Sequence, residues 1–196
     1  MDTATITQVA LGIALSACAG FRVFIPMLAA ALGAKFGIIG LPEDMSWLGS
    51  WPAIISFGTA AVIEIGAYYI PFIDNLLDTV ATPLSVVAGA TLASSIIPMG
   101  EQEPLLRWTV GLLAGGAAAG TIQLGTGLLR LFSSKATVGT GNAVVATGEN
   151  AAAITGSALS FAIPVIIALL LIALITWILV KIFRRFSGRR AGERES

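Results

Sequence analysis

Histidine is missing from this 196-residue chain, and cysteine occurs once, at Cys18. Without histidine, the commonest general base and the commonest transition-metal ligand are gone. One cysteine closes no internal disulfide and builds no cysteine-based zinc cage. Charge is scarce as well: 11% of residues carry one, against about a quarter in a soluble domain. These shortages argue against an enzyme. A lipid-directed catalyst would have to work with acids, Arg22 and a metal. No cofactor is expected, and no metal is assigned.

Apolar residues fill the space that charge leaves. Hydrophobic residues make up 56% of the chain and its mean hydropathy is +0.91, which marks an integral membrane protein. The net charge is +0, yet Lys181, Arg184, Arg185, Arg189, Arg190 and Arg194 gather six of the 11 basic residues near the C-terminus. A basic cluster beside an apolar segment belongs on the cytoplasmic side, and anionic headgroups are its natural partners. Such a tail is no evidence for nucleic acid. Leu15-Ser16-Ala17-Cys18 has the form of a lipoprotein cleavage site, but Asp2 precedes it with no basic residue, so an ordinary first membrane helix is expected.

Segment one spans residues 5–37, longer than one perpendicular crossing. Gly20 and Pro26 bracket its middle, so a kink or unwound turn is expected there. Residues 40–52 hold Glu43, Asp44, Trp47 and Trp51 and read as a loop or short helix among headgroups. Segment two, residues 53–70, ends in the interfacial-looking pair Tyr68-Tyr69, before Pro71. Segment three, residues 74–97, should bend at Pro83. Glu101 and Glu103 mark an acidic loop. Segment four covers residues 105–132, and residues 133–147 read as a polar loop. A last apolar region, residues 149–186, is divided by Pro164. Six crossings or pseudo-crossings with both termini in the cytoplasm satisfy the charge rule best.

The expected fold is all-α: a polytopic bundle with broken or kinked helices. Residues 1–186 form one transmembrane domain and residues 187–196 a basic cytoplasmic tail. Ala17-Cys18-Ala19-Gly20 matches Ala117-Ala118-Ala119-Gly120, and Lys35 matches Lys135 at the same shift. An inverted repeat with halves 1–97 and 105–186 is one reading of this match. Gly111, Gly115, Gly116 and Gly120 form small-xxx-small patterns that serve either packing within the chain or a homodimer seam.

Ionisable residues inside apolar stretches are the candidate site, because a charge in hydrocarbon persists only where it is paired, hydrated or in use. Arg22 cannot shed its proton, so it needs an acid, an anion or a ring of carbonyls. Glu149 or Glu64 is the expected partner. The plainer alternative is a snorkelling or purely structural arginine. Asp74 and Asp78, four apart, can share a helix face and hold a cation or a proton, or simply start a helix at the surface. Asn142, Glu149 and Asn150 form a polar entry to the last region, as caps or as a cavity lining.

Ala19-Gly20-Phe21-Arg22-Val23-Phe24-Ile25-Pro26, followed by Leu41-Pro42 and Trp47-Leu48-Gly49, resembles a family of small bacterial membrane proteins, domain of unknown function 4126. Asp74, Asp78 and the stretch from Gly141-Asn142 to Glu149 fit the same pattern. The family pattern has proline after the asparagine and an acid after the glutamate; here those positions are Ala143 and Asn150. The resemblance implies a multi-pass protein of a bacterial inner membrane and supplies no activity.

The residues themselves favour a transporter or channel-like protein for a small solute or ion, with a polar site around Arg22. The alternative is a structural or lipid-binding module that forms a homodimer.

Overall fold

The computed structural model describes residues 2–70, 73–98, 104–137 and 140–192. Pro71, Glu101, Glu103 and Arg194, which figured in the sequence reading, lie outside them. The described residues are helical, with turns and no strand. The outer surface is apolar: Val62, Ile63, Leu113, Leu170 and Phe183 are among many large exposed hydrophobic residues. Polar residues sit inside, including fully buried Ser16, Ser85 and Ser94. This inversion of a soluble protein's pattern is what lipid as solvent demands.

Segment one is broken. Helix α1 (Thr3–Cys18) starts on Asp2, whose carboxylate accepts the Thr5 amide. A non-helical stretch, residues 19–23, precedes α2 (Phe24–Lys35). Pro26 lies in the first turn of α2, where its missing N–H leaves no bond unmade. The two arms return to the same end of the molecule. On α1, Ala10 and Ala14 pack with Ile167 and Ala168, and Gly12 faces Ile96 and Ile97. On α2, Gly33 faces Phe161. The pair is therefore a re-entrant hairpin whose broken tip carries Arg22 into the bundle. Gly20 allows the approach, since a Cβ there would lie 2.3 Å from the Ala119 carbonyl oxygen.

A 3₁₀ helix (Glu43–Gly49) follows, with Met45 and Leu48 buried and Trp47 exposed. It fits the short headgroup element expected there. Helix α3 (Trp51–Ala67) runs back alongside α2, from Lys35 stacked over Trp51 to Glu64 beside Phe24. Helix α4 (Ile73–Ile96) continues through Pro83. Helix α5 (Pro104–Gly111), a π turn (Leu112–Gly116) and α6 (Ala117–Thr137) form one long rod. Helices α7 (Asn142–Ala162) and α8 (Pro164–Gly192) complete the chain. Three helices are long and apolar enough to cross a membrane, within Leu76–Ile96, Pro104–Thr137 and Pro164–Arg184; the 3₁₀ helix with α3, bent by 54°, makes a fourth.

Several expectations change. Because segment one turns back, five rods run between the two ends of the bundle: α3, α4, α5 with α6, α7, and α8. The start of α1 and the end of α8 consequently lie at opposite ends, not together. The polar stretch 133–147 is mostly helix, in α6 and α7. Its end is held by Asn142, which donates to Ser134 at 2.9 Å and to Asp74 at 3.1 Å. The internal match pairs residues 17–20, where α1 ends and the break begins, with a continuous helix at 117–120, so the two copies differ in conformation. Gly111 and Gly115 press on Ala90, Ser94 and Gly89 of α4, while Gly116 and Gly120 meet Val86. That seam is filled within the chain, where it brings helix backbones together.

Candidate functional site

Arg22 is 1% exposed at the hairpin tip. Its Nη1 donates to Glu149 Oε2 at 2.6 Å and to the Phe21 carbonyl at 3.0 Å. Nε donates to Asn150 Oδ1 at 2.6 Å, and Nη2 to the Ala146 carbonyl at 3.3 Å. The first turns of α7 thus become a cradle: Ala146, Glu149 and Asn150 share the helix face that meets the tip. Asn150, standing where the family pattern has an acid, does its work through the amide oxygen. Its Nδ2 donates to Tyr69 at 3.2 Å, and the Tyr69 hydroxyl bonds with Thr147 at 3.0 Å.

A second arginine shares the acid. Arg130 of α6 donates Nη2 to the same Glu149 Oε2, and Nη1 to Asp78 Oδ1 at 2.5 Å. Both cations also contact the Tyr68 ring, with Arg22 Cζ 3.8 Å and Arg130 Cζ 4.0 Å from its centroid. Two guanidiniums, two carboxylates and one aromatic ring therefore make a charge-balanced knot. A buried cation over a ring face gains about 2 kcal/mol when desolvated. Glu149 Oε1 and Arg130 Nε are buried without hydrogen-bond partners.

Glu64 serves the hairpin differently. Its two carboxylate oxygens accept the Val23 amide at 2.9 Å and the Phe24 amide at 3.0 Å. Those amides open α2, and no side chain of its own caps that helix. A carboxylate from α3 thus satisfies the orphan donors and the positive end of a half-helix inside the bundle. Asp74 accepts from Asn142 of α7. Asp74 and Asp78 consequently have separate partners and do not form one cation site. Among the described residues no group of three or more acids and cysteines is placed to hold a metal ion.

Two crevices flank α4 and reach the knot. One, of about 200 Å³, lies between α3 and α4 and is lined by Phe24, Ile63, Glu64, Tyr68, Ala81 and Leu84 among others. The other, of about 300 Å³, lies between α4 and α6, with Asp78, Thr79, Thr82 and Gln123 on its wall. Neither is lined by Arg22 itself.

Of the residues singled out from sequence, Arg22, Asp78, Glu149 and Asn150 converge directly. Glu64 caps the tip, and Asp74 with Asn142 makes a polar bond nearer the surface. Arg130 and Tyr68 are the omissions. Arg130 is 4% exposed, and Tyr68, expected at an interface, is also 4% exposed. The signal for Arg130 was present in Leu128-Leu129-Arg130-Leu131-Phe132, a cation with apolar neighbours on both sides. No comparable signal separates Tyr68 from exposed Tyr69.

These features define a helical membrane protein with a buried ionic centre. The chain belongs to the family of a domain of unknown function, DUF4126, which matches residues 9–185. No curated protein and no solved structure matches it.

Proposed function

We propose that the protein is a transporter or channel-like protein for a small solute or ion, and that the ionic knot is the closed centre of its path. One observation carries this reading: a helical hairpin enters from one end, and its broken tip delivers Arg22 to charged residues of α4, α6 and α7. Irregular backbone within a bundle of this kind is tolerated where it lines a site, and broken helices at such a site are the mark of solute-moving folds. The two crevices beside α4 supply approaches to Glu64 and Asp78. The basic extension of α8 argues for a cytoplasmic C-terminus in a bacterial inner membrane, with lipid against the apolar faces.

Purified protein in liposomes tests this reading. Imposed gradients of sodium, potassium, protons, chloride and formate are the probes. The wild-type protein is expected to dissipate at least one gradient, and folded Arg22→Gln to dissipate none. Wild-type vesicles that hold every gradient would defeat the proposal. They would leave the second reading, a structural module, which is favoured by the full set of acceptors around Arg22.

A further inference from the structure

Glu149 pairs in an unusual way for a purely structural ion bridge. An arginine and a carboxylate left to themselves favour two parallel bonds, one to each oxygen. Here both guanidiniums converge on the single atom Oε2, while Oε1 is buried and unpartnered. Arg130 Nε is likewise buried with no acceptor. The pair of cations is thus addressing one point, and the acid reaching that point uses half of its own capacity. The guanidinium carbons of Arg22 and Arg130 also lie 3.8 and 4.0 Å from the centroid of the Tyr68 ring. Their positions are therefore set by more than Glu149.

We propose that Arg22 and Arg130 form a binding site for a small monovalent anion, and that Glu149 occupies it here as a tethered stand-in. This rests on the transport reading and names its substrate class. The count of direct ion pairs favours one negative charge. With Glu149 withdrawn, the two guanidiniums keep one direct ion-pair partner, Asp78 on Arg130, and Arg22 keeps none. Glu64 adds its charge from farther off: both of its oxygens are taken by the Val23 and Phe24 amides, and it makes no ion pair with either arginine. Asp74 is directed to Asn142. Chloride, nitrate and formate have the size and charge to take the place of one carboxylate oxygen. The crevice beside Asp78, lined by Thr79, Thr82 and Gln123, offers the approach on the Arg130 side.

Removing the stand-in exposes the site to test. Purified Glu149→Gln is melted in detergent at constant ionic strength, in sodium gluconate and with gluconate replaced by chloride, nitrate or formate. The small anions are expected to raise its melting temperature by roughly 5–10 °C at ~100 times the dissociation constant. The wild-type protein should move much less, because Glu149 competes. The double variant Glu149→Gln/Arg130→Gln should lose the response. If Glu149→Gln does not fold in any of these salts, Glu149→Asp, whose shorter arm withdraws the carboxylate, takes its place with the same expectation. Equal shifts in wild type and variant, no shift at all, or a shift that survives loss of Arg130 would each overturn the proposal. An anion-responsive Glu149→Gln with wild-type vesicles that hold all gradients would sink transport but keep the site. Cation flux with an anion-indifferent variant would do the reverse.

Discussion

Arg22 makes five contacts of consequence: three acceptors from α7, its neighbour's carbonyl, and the face of Tyr68. Removing Arg22 leaves Glu149 to Arg130 alone and takes the donor from buried Asn150 Oδ1, and a buried group left unpaired costs about 1–3 kcal/mol. Arg22→Ala should therefore lower the melting temperature sharply, as differential scanning fluorimetry would read. Tyr68→Leu should cost more than Tyr68→Phe, because the phenyl ring keeps the π surface that both guanidiniums contact and leucine has none. At Glu64 the prediction is specific to acceptor count. Glu64→Gln leaves one oxygen for two amides, so one buried N–H loses its partner, at about 1–3 kcal/mol. Hydrogen exchange should show the Val23 or Phe24 amide opening in that variant while the rest of α2 stays protected. Most of these residues could be picked out beforehand, since a charge amid apolar neighbours is visible in the chain itself. Their partners could not, because Arg22 and Glu149 are separated by most of the sequence.

Among the elements, the rod formed by α5 and α6 meets α4 backbone to backbone. A Cβ on Gly115 would lie 2.2 Å from the Gly89 carbonyl oxygen, so Gly115→Ala must push two helices apart. Nothing lies within 4 Å of the corresponding position on Gly127. Alanine there gains about 0.5–1 kcal/mol of helix preference. Size-exclusion and melting profiles should therefore show Gly115→Ala as loosened or aggregated and Gly127→Ala as unchanged or slightly more stable. The glycine pattern announced close packing, and close packing is present. What it could not announce was the surface it meets, because a small-residue stripe fits a neighbouring helix of its own chain as readily as a second copy. The stretch 133–147 illustrates the opposite failure. Its glycines, serines and threonines favour a loop locally, yet buried Asn142 joins α6, α7 and α4 through Ser134 and Asp74 and holds helix there.

For the molecule as a whole, the re-entrant hairpin fixes topology. Thr3 and Lys35 lie at one end, and Lys135 lies at the other with the basic extension of α8. Thr3→Cys and Lys35→Cys should thus react with an impermeant maleimide from the same side of oriented vesicles, and Lys135→Cys from the opposite side. Cys18 is buried and should contribute no background. Labelling of Thr3→Cys and Lys35→Cys from opposite sides would mean that segment one crosses after all.

Composition alone settled that this chain lives among lipid, since a polypeptide with so few charges and so many apolar residues has no aqueous core-and-surface solution. The same scarcity of charge flagged Arg22, Asp78 and Glu149, and the pairing of glycine with proline around Arg22 marked the break in segment one. Tertiary structure decided the rest: that the break turns the chain back, that Arg130 joins Arg22 on one oxygen, and that both pack on the Tyr68 ring. Direction after a break and choice of ionic partner both depend on which helices pack alongside. That packing is a property of all eight helices together, and no local run of residues encodes it.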